Sequence, residues 1–219
     1  MAGGGLDRMG FFHKPIELIA EAEIRGLIQN QEQEGRMLDY KEVLPAPADN
    51  NEFRYDVTSL ANASGGELIY GVRERQKNGQ NTGEPGEIVP ITVPLDAEIL
   101  RLEQILQTNI SPRLRGVRFR AIPLQSGGNV LLIRVPKAWT GLHLVKLNDS
   151  YRFYSRNSKG KYIMDADEIR SGFVAVETGY ERMRKFREDR LEKISIGDTP
   201  LSMPSGPKVV LHLVPFSIL

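Results

Sequence analysis

The chain has 219 residues, of which 40% are hydrophobic and 26% charged, its net charge is +1, and it contains no cysteine. This composition is typical of one folded domain with a short appendage, and it excludes disulfide bonds and thiolate metal sites such as zinc fingers. Because the sequence has no apolar run of about 18 residues and its N-terminal segment is charged, we predict neither a membrane span nor a signal peptide and expect a cytoplasmic location.

The first third of the sequence predicts a helix, a strand and a second helix. Apolar residues recur at helical spacing over 15–29, and residues 37–44 alternate between apolar and polar at the period of a strand. A helix capped by Asn50 or Asn51 follows. It ends before Gly65, because two consecutive glycines allow left-handed backbone geometry.

The middle of the chain predicts a mixture of strands and one helix. Residues 67–74 alternate as a strand, and 75–94 form a loop rich in Gly, Asn, Gln and Pro. Residues 95–108 have the apolar spacing of an amphipathic helix. Two further strands, 116–124 and 129–135, are joined by a Ser-Gly-Gly turn and predict a hairpin.

The last third predicts further strand structure at 142–156 and then two helices. Asp165 begins a short helix with acids at its positive end, and 180–193 form a charged helix. The apolar segment 208–219 predicts a terminal strand. Such a strand would be an exposed edge unless a second copy of the chain, or a further domain after Leu219, covers it.

Charge is unevenly distributed along the chain. Residues 1–112 carry 10 basic and 18 acidic side chains, whereas 113–161 carry eleven basic side chains and one acid. Such asymmetry favours contact with nucleic acid; the alternative is that the cations are the solvated outer faces of strands. The candidate contacts are Arg113, Arg115, Arg118, Arg120, Lys137, Arg152, Arg156, Lys159 and Lys161.

Three other features have both a functional and a structural interpretation. Trp139 could stack on an unpaired base, although aromatic residues near strands usually belong to the core. Asn62 with Gly65 and Gly66 could cradle a phosphate, although ending a helix is the more ordinary role. His143 could carry a proton, although a packed histidine is the more common case.

Four charged side chains near predicted strand ends are candidates for chemistry: Glu34, Asp39, Lys41 and Glu74. Carboxylates are the ligands that Mg²⁺ or Mn²⁺ prefers, and a bound metal could polarise a phosphate oxygen and activate water. A lysine beside them could offset charge that develops on a scissile phosphate. The alternative is that these acids are solvated surface groups.

Three sequence blocks resemble the signature blocks of the Schlafen AlbA family, over about residues 20–175. They are EGRMLDYKEVL, DVTSLANASGGELIYGVRE and RFYSRNSKGKYIMDADEIRSGF, of which the second is the most specific. The resemblance implies an α+β fold in which a mixed sheet is packed with helices, followed here by a C-terminal helix and the terminal strand. We therefore expect an N-terminal extension at 1–19, one domain at 20–175, and a C-terminal extension at 176–219 that could be truncated.

The resemblance also implies functional roles. In animal Schlafen nucleases, the three acids of an RNA-cleaving site lie at positions that match Glu34, Asp39 and Glu74. These acids would hold Mg²⁺ or Mn²⁺, and Lys41 would steady the phosphate. Arg156, in the third block, is the cation whose place is best defined. Bacterial relatives are commonly described only as DNA-binding or regulatory modules.

Three functional hypotheses are open at the level of sequence. The first is a metal-dependent endoribonuclease that acts on structured RNA such as tRNA, with RNA favoured over DNA. The second is a non-catalytic DNA- or RNA-binding module of a transcriptional regulator or defence protein. The third is a protein-interaction scaffold whose terminal strand pairs with a partner. The lack of a phosphate-loop motif disfavours ATP hydrolysis.

Overall fold

The computed structural model describes residues 11, 14–48, 50–147, 150–199, 201, 206–207, 209 and 211. The chain divides into two compact units. The first consists of Met1–Ala138 and Leu142–Asp165, and the second of Trp139–Gly141 and Ala166–Leu219. The four predicted catalytic residues and the nine predicted cationic contacts lie in the first unit, whereas Trp139 lies in the second.

The described part of the first unit contains three α-helices, a 3-10 turn and ten strands. The helices are α1 (Glu21–Gln29), α2 (Asn51–Asn62) and α3 (Leu95–Asn109), and the 3-10 turn is Ile16–Leu18. The strands are β1 (Leu38–Lys41), β2 (Gly66–Tyr70), β3 (Val72–Lys77), β4 (Gln80–Ile88), β5 (Ile110–Ser111), β6 (Arg118–Pro123), β7 (Asn129–Val135), β8 (Leu144–Leu147), β9 (Ser150–Asn157) and β10 (Gly160–Ile163).

These strands form two four-stranded sheets and one two-stranded hairpin. The first sheet has the order β1-β2-β7-β6, in which β1 and β2 are parallel and the other neighbours antiparallel. The second sheet has the order β10-β9-β8-β5 and is antiparallel. Among the described residues, strands β3 and β4 pair with each other as a separate hairpin. The predicted α+β fold, with a mixed sheet packed with helices, is confirmed.

The first sheet carries an apolar cluster on each of its faces, because successive side chains of a strand point to opposite sides. On one face, Leu68 and Leu131 pack in a cluster with Phe53 of α2 and with residues of α3. On the other face, Ile69 packs in a cluster with Ile24 of α1. Burial of each such side chain contributes about 1.5–3 kcal/mol to folding, so both helical layers are anchored to the same sheet.

The helix predicted over 15–29 is wrong at its N-terminal end. Ile16–Leu18 form a 3-10 turn, Ala20 is extended, and the α-helix begins at Glu21. The carboxylate of Glu23 accepts a hydrogen bond from Ala20 N at 2.9 Å. This bond satisfies a backbone donor at the helix start and so fixes the boundary there.

The strand predicted at 67–74 and the loop predicted at 75–94 are also wrong. Gly71, with φ +94°, separates β2 from β3, and β3 pairs with β4 in a hairpin that occupies much of the predicted loop. Asn78 and Gly79, with φ +55° and +75°, form the turn. Two left-handed residues are typical of tight hairpin turns, and Asn-Gly is their strongest sequence signal.

The strand predicted at 37–44 is confirmed only in part, because β1 ends at Lys41. Asn50 lies at the N-cap of α2 but makes no capping hydrogen bond with its side chain. The other helices and strands predicted for the first unit are confirmed. The helix expected after Asn50 is α2, and that expected at 95–108 is α3. The hairpin expected at 116–124 and 129–135 is formed by β6 and β7, and the region 142–156 contains β8 and β9.

The second unit contains one long helix, α4 (Ala166–Ile196), of 31 residues. The prediction of two separate helices is therefore wrong, because Gly172 and Gly179 are accommodated within α4. None of the described helices combines the length and apolar character that a membrane span needs. Most of the predicted terminal strand at 208–219, and most of the predicted extension at 1–19, lie outside the described residues.

Candidate functional site

Asp39 lies at the centre of a buried group of charged side chains. Its neighbours Leu38 and Tyr40 belong to the apolar cluster on the α1 face of the sheet, so Asp39 and Lys41 point to the opposite face. Asp39 Oδ1 accepts a hydrogen bond from Lys41 Nζ at 2.7 Å, and Oδ2 accepts one from Arg156 Nη2 at 2.6 Å. Burial would raise the pKa of Asp39, but these two cations hold it below its usual value.

Glu34, in the segment between α1 and β1, lies beside Asp39. Its backbone N–H donates to the carbonyl oxygen of Gly83 at 2.7 Å, and its Oε1 accepts a hydrogen bond from Tyr40 N at 2.6 Å. Burial is the main cause that raises the pKa of Glu34 to about 8, and the charges of Asp39 and Glu74 add to it. Glu34 therefore holds its proton at neutral pH.

Glu74 reaches the same place from the β3–β4 hairpin. The register of the two strands shifts on both sides of Glu74, and such bulges change the direction of a side chain. Glu74 Oε2 accepts a hydrogen bond from Gly83 N at 3.0 Å, and Oε1 accepts one from Asn81 Nδ2 at 2.9 Å. Gly83 thus bonds to Glu34 through its C=O and to Glu74 through its N–H.

The fold therefore brings together Glu34, Asp39 and Glu74, which we call the acid cluster. No three His, Cys, Asp or Glu side chains within the described residues are arranged so that they could hold a metal ion as they stand. Both oxygens of Asp39 are instead engaged by cations. The donor chemistry still fits a divalent cation, because carboxylates are its usual ligands and a cation would relieve the repulsion by Asp39 and Glu74 that adds to the effect of burial on the pKa of Glu34.

A fourth acid, Asp56 of α2, belongs to the same charged group and was missed in the sequence. It is 1% exposed, and its Oδ1 accepts a hydrogen bond from Lys161 Nζ at 2.7 Å. Lys41 Nζ lies 3.7 Å from its Oδ2. Burial, and then the charge of Asp39, raise the pKa of Asp56. In the sequence, the sign that Asp56 is buried was its position within the apolar stripe of the helix that includes Phe53.

Of the nine predicted nucleic-acid contacts, the structure places Arg156 and Lys161 in this charged group. Arg156 is buried and bonds to Asp39, whereas Lys161 is partly exposed and bonds to Asp56 and to Glu52. Both side chains come from the second sheet, Arg156 from β9 and Lys161 from β10. Residues of the third sequence block, RFYSRNSKGKYIMDADEIRSGF, thus contact the charged group that contains Asp39 of the first block.

Two of the other predicted cations lie away from this place. Arg118 and Arg120 lie on the α1 side of the first sheet, where Arg118 pairs with Glu17 and Arg120 donates to the carbonyl oxygen of Ile19 at 2.8 Å. The reason is that alternation along β6 points these two side chains to that face. Of the remaining members, Lys137 is partly buried and four are exposed: Arg113, Arg115, Arg152 and Lys159.

Asn62 and His143 have structural roles. Asn62 Nδ2 donates to the carbonyl oxygens of His143 and Tyr154 at 2.8 and 2.9 Å, and its Oδ1 accepts a hydrogen bond from His143 N at 2.8 Å. The His143 ring is 5% exposed, and its Nδ1 lies 2.7 Å from the oxygen of Pro112. These bonds connect the end of α2 to the second sheet.

Trp139 lies in the second unit and is partly buried.

The two glycines after α2 also serve the fold. Gly65 and Gly66 have φ of +75° and +153°, as the predicted helix end requires. A Cβ atom on Gly66 would lie 2.4 Å from the carbonyl oxygen of Met37, so the backbones approach too closely there for any side chain. This contact brings the segment before β1 against the start of β2.

The family model described as Schlafen, AlbA_2 matches residues 34–165, which include the acid cluster and Asp56. No curated protein matches the chain. Among solved structures, the chain is similar to the N-terminal domain of a protein from Nitrosomonas europaea described as related to the ATP-dependent DNA helicase RecG, studied by solution NMR. That similarity has 18% identity and a TM-score of 0.42, and covers 55% of this chain and 75% of the other. On the family match, which spans more than half of its residues, the chain belongs to the Schlafen AlbA_2 family.

Proposed function

We propose that the chain binds nucleic acid and cleaves RNA at the acid cluster in the presence of a divalent cation. Membership of the Schlafen AlbA_2 family indicates nucleic-acid binding. The observation that supports cleavage is the proximity of three carboxyl groups from separate segments. Burial raises the pKa of Glu34 to about 8, and the charges of Asp39 and Glu74 add to that rise. Like-charged groups held together in this way are common at functional sites.

Glu34 and Glu74 are the residues that would hold Mg²⁺ or Mn²⁺, and Asp39 would join them after exchanging one of its ion pairs. Such a cation, when bound, polarises a phosphate oxygen and lowers the pKa of water. Asp56 provides a place for the released lysine. Its Oδ2 has no hydrogen-bond partner among the described residues, and Lys41 Nζ lies 3.7 Å from it.

Lys41 would contact the phosphate. Its side chain keeps 32% of its surface exposed, so its ammonium group can meet a ligand from solvent. Burial would lower the pKa of Lys41, but Asp39 and Asp56 raise it above its usual value, and the side chain is charged at neutral pH. A fixed positive charge stabilises the negative charge that develops on a phosphate during cleavage.

Cleavage of a structured RNA tests the proposal. The purified chain would be incubated with an end-labelled tRNA transcript in Mn²⁺, in Mg²⁺ or in EDTA, and fragments are expected only with metal. Glu34→Gln and Asp39→Asn are each expected to lower the rate about 100-fold or more, because a metal site contributes several kcal/mol to the transition state. Glu177→Gln, which changes an exposed glutamate of α4, is the matched control.

Cleavage at the wild-type rate by both variants would contradict the assignment of the acid cluster. Circular dichroism of each variant would establish that it is folded, so that a loss of cleavage is read as a loss of chemistry. A tRNA-length DNA duplex, assayed in parallel, would test the preference for RNA.

A second candidate function is a non-catalytic nucleic-acid-binding module, such as part of a transcriptional regulator or defence protein. The observation that favours it is the engagement of both Asp39 oxygens by Lys41 and Arg156. Binding that weakens steeply with salt, together with no cleavage in any metal, would support this function instead, since phosphate contacts release counterions.

A further inference from the structure

Asp56 connects two lysines that come from different sheets. Lys161, on β10 of the second sheet, donates to Asp56 Oδ1 at 2.7 Å, and Lys41, on β1 of the first sheet, lies 3.7 Å from Oδ2. The Asp56 side chain is 1% exposed, whereas those of Lys41 and Lys161 are 32% and 23% exposed. A buried carboxylate thus lies beside two ammonium groups that can reach solvent, one of which, Lys41, also donates to Asp39 Oδ1 at 2.7 Å; we call Lys41 and Lys161 the lysine pair.

Lys41 and Lys161 are close enough to influence each other. Burial would lower the pKa of Lys161, Asp56 raises it, and the charge of Lys41 opposes that rise. Two ammonium groups repel, and each free lysine side chain has about 2 kcal/mol of rotamer entropy to lose when it binds a ligand. A shared buried carboxylate reduces both costs, because it offsets the repulsion and holds the side chains in place before the ligand arrives.

We propose that Asp56 is a positioning residue that holds the lysine pair for contact with a backbone phosphate of bound nucleic acid. This inference rests on the proposed nucleic-acid binding and adds to it the residue that organises the contact. A phosphate offers several oxygen acceptors, and each lysine ammonium has three N–H donors. The pair can therefore bond to a phosphate while both members stay anchored to Asp56.

Glu52 has a different relation to the lysine pair. Its carboxylate accepts a hydrogen bond from Lys161 Nζ at 2.5 Å, but its side chain is 64% exposed. Exposed ion pairs contribute only about 0–1 kcal/mol, so an arriving phosphate can replace Glu52 at little cost. Glu52 therefore competes with the phosphate for Lys161, whereas Asp56 holds Lys161 in position for the phosphate.

Substitution of the two carboxylates tests the inference, because long-range electrostatics and positioning predict opposite changes in affinity for Asp56→Asn. Asp56→Asn and Glu52→Gln each remove one negative charge, so long-range electrostatics predicts tighter binding of a polyanion by both variants. Positioning instead predicts that Asp56→Asn weakens binding about tenfold, the effect of losing a charge-assisted hydrogen bond. Glu52→Gln is expected to bind as tightly as wild type or up to about threefold more tightly.

Fluorescence anisotropy of a labelled tRNA transcript and of a DNA duplex of similar length would measure these affinities. Each titration would be run in EDTA, so that no cleavage occurs, and repeated at several NaCl concentrations. Asp56→Asn is expected to reduce the slope of log affinity against log salt by about 0.7 to 0.9 for each phosphate that the variant no longer neutralises. A purely structural role of Asp56 would leave that slope unchanged in the folded variant.

Thermal unfolding would show whether Asp56→Asn is folded at the assay temperature. If Asp56→Asn is not folded, Lys161→Met replaces it in the binding assay, because Lys161 is partly exposed. The same decrease in affinity and in salt slope is expected for Lys161→Met. Wild-type affinity and slope in folded Asp56→Asn, or in Lys161→Met, would overturn the inference while leaving nucleic-acid binding in place. Failure of the wild-type chain to bind either probe at low salt would overturn the proposed function and the inference with it.

Discussion

Glu34 connects the electrostatics of the acid cluster to the stability of the fold. The folded chain keeps the Glu34 proton up to about pH 8, whereas an ordinary glutamate releases it near 4.5. Between these values the folded state binds more protons than the unfolded state, so Glu34 makes the free energy of unfolding fall as pH rises. The slope is at most about 1.4 kcal/mol per pH unit, and solvent screening of this partly exposed side chain reduces it.

Glu34→Gln is predicted to remove this pH dependence. The amide oxygen can still accept the hydrogen bond from Tyr40 N, so the fold should be kept. The variant should resemble wild type at pH 5 and be more stable at pH 8 by about 1–2 kcal/mol. Urea unfolding at pH 5, 6, 7 and 8 measures the difference, with Glu177→Gln as control. Parallel pH profiles for wild type and Glu34→Gln would contradict the prediction.

At the residue scale, the fold brings together the three acids predicted from the sequence, while their catalytic role stays a prediction. The acids Glu34, Asp39 and Glu74 were identified from their residue type and the family resemblance, and the fold brings them together. Asp56 was missed because its importance depends on tertiary structure: Lys161, its hydrogen-bond partner, lies far along the chain on β10. No local pattern predicts which distant cation a carboxylate meets.

At the scale of elements, the β3–β4 hairpin determines where Glu74 lies. Gly83 of β4 adopts φ +75° and bonds to both Glu34 and Glu74. A Cβ at Gly83 would have space, 3.7 Å from the Cβ of Glu34, so a substitution acts through the backbone. A left-handed conformation costs a residue with a side chain about 1–2 kcal/mol. Relief of this strain would shift both hydrogen bonds.

Gly83→Ala is therefore predicted to separate the acids, lower the pKa of Glu34 and slow RNA cleavage. Gly127→Ala is the matched control, because Gly127 has a similar φ of +89° and open space around it, in the turn between β6 and β7. Both variants should be destabilised by about 1–2 kcal/mol, measured by urea unfolding. Only Gly83→Ala should change cleavage and the Glu34 pKa; equal effects of the two variants would contradict this role of Gly83.

The β3–β4 hairpin was not predicted from the sequence. Strand β4, with the sequence QNTGEPGEI, is polar and has no apolar alternation, so periodicity predicted a loop there. The Asn-Gly pair at its turn was the available signal. Helices α2 and α3 were predicted well, because each has an apolar stripe and each is followed or preceded by a clear boundary.

At the scale of the whole first unit, helix α2 joins the two sheets and supplies the carboxylate between them. Asn62 bonds to the backbone of the second sheet, and Asp56 contacts lysines from both. The sequence predicted strands in most of these regions but missed β4, β5 and β10. It did not assign the strands to two sheets, because strand pairing depends on long-range contacts. Arg118 and Arg120 lie on the α1 face of the first sheet, whereas Arg156 belongs to the second sheet and meets Asp39 on the opposite face. The cations predicted as one group are therefore separated.

We infer that folding gathers Glu34, Asp39 and Glu74 into one electrostatically coupled cluster suited to a divalent cation. The most direct test is an NMR titration of the Glu34 carboxyl carbon in ¹³C-labelled protein, with and without Mg²⁺. We predict a pKa of about 8 without metal and a clearly lower value with Mg²⁺. A carboxyl group that titrates near its ordinary 4.5 and does not respond to Mg²⁺ would contradict the account.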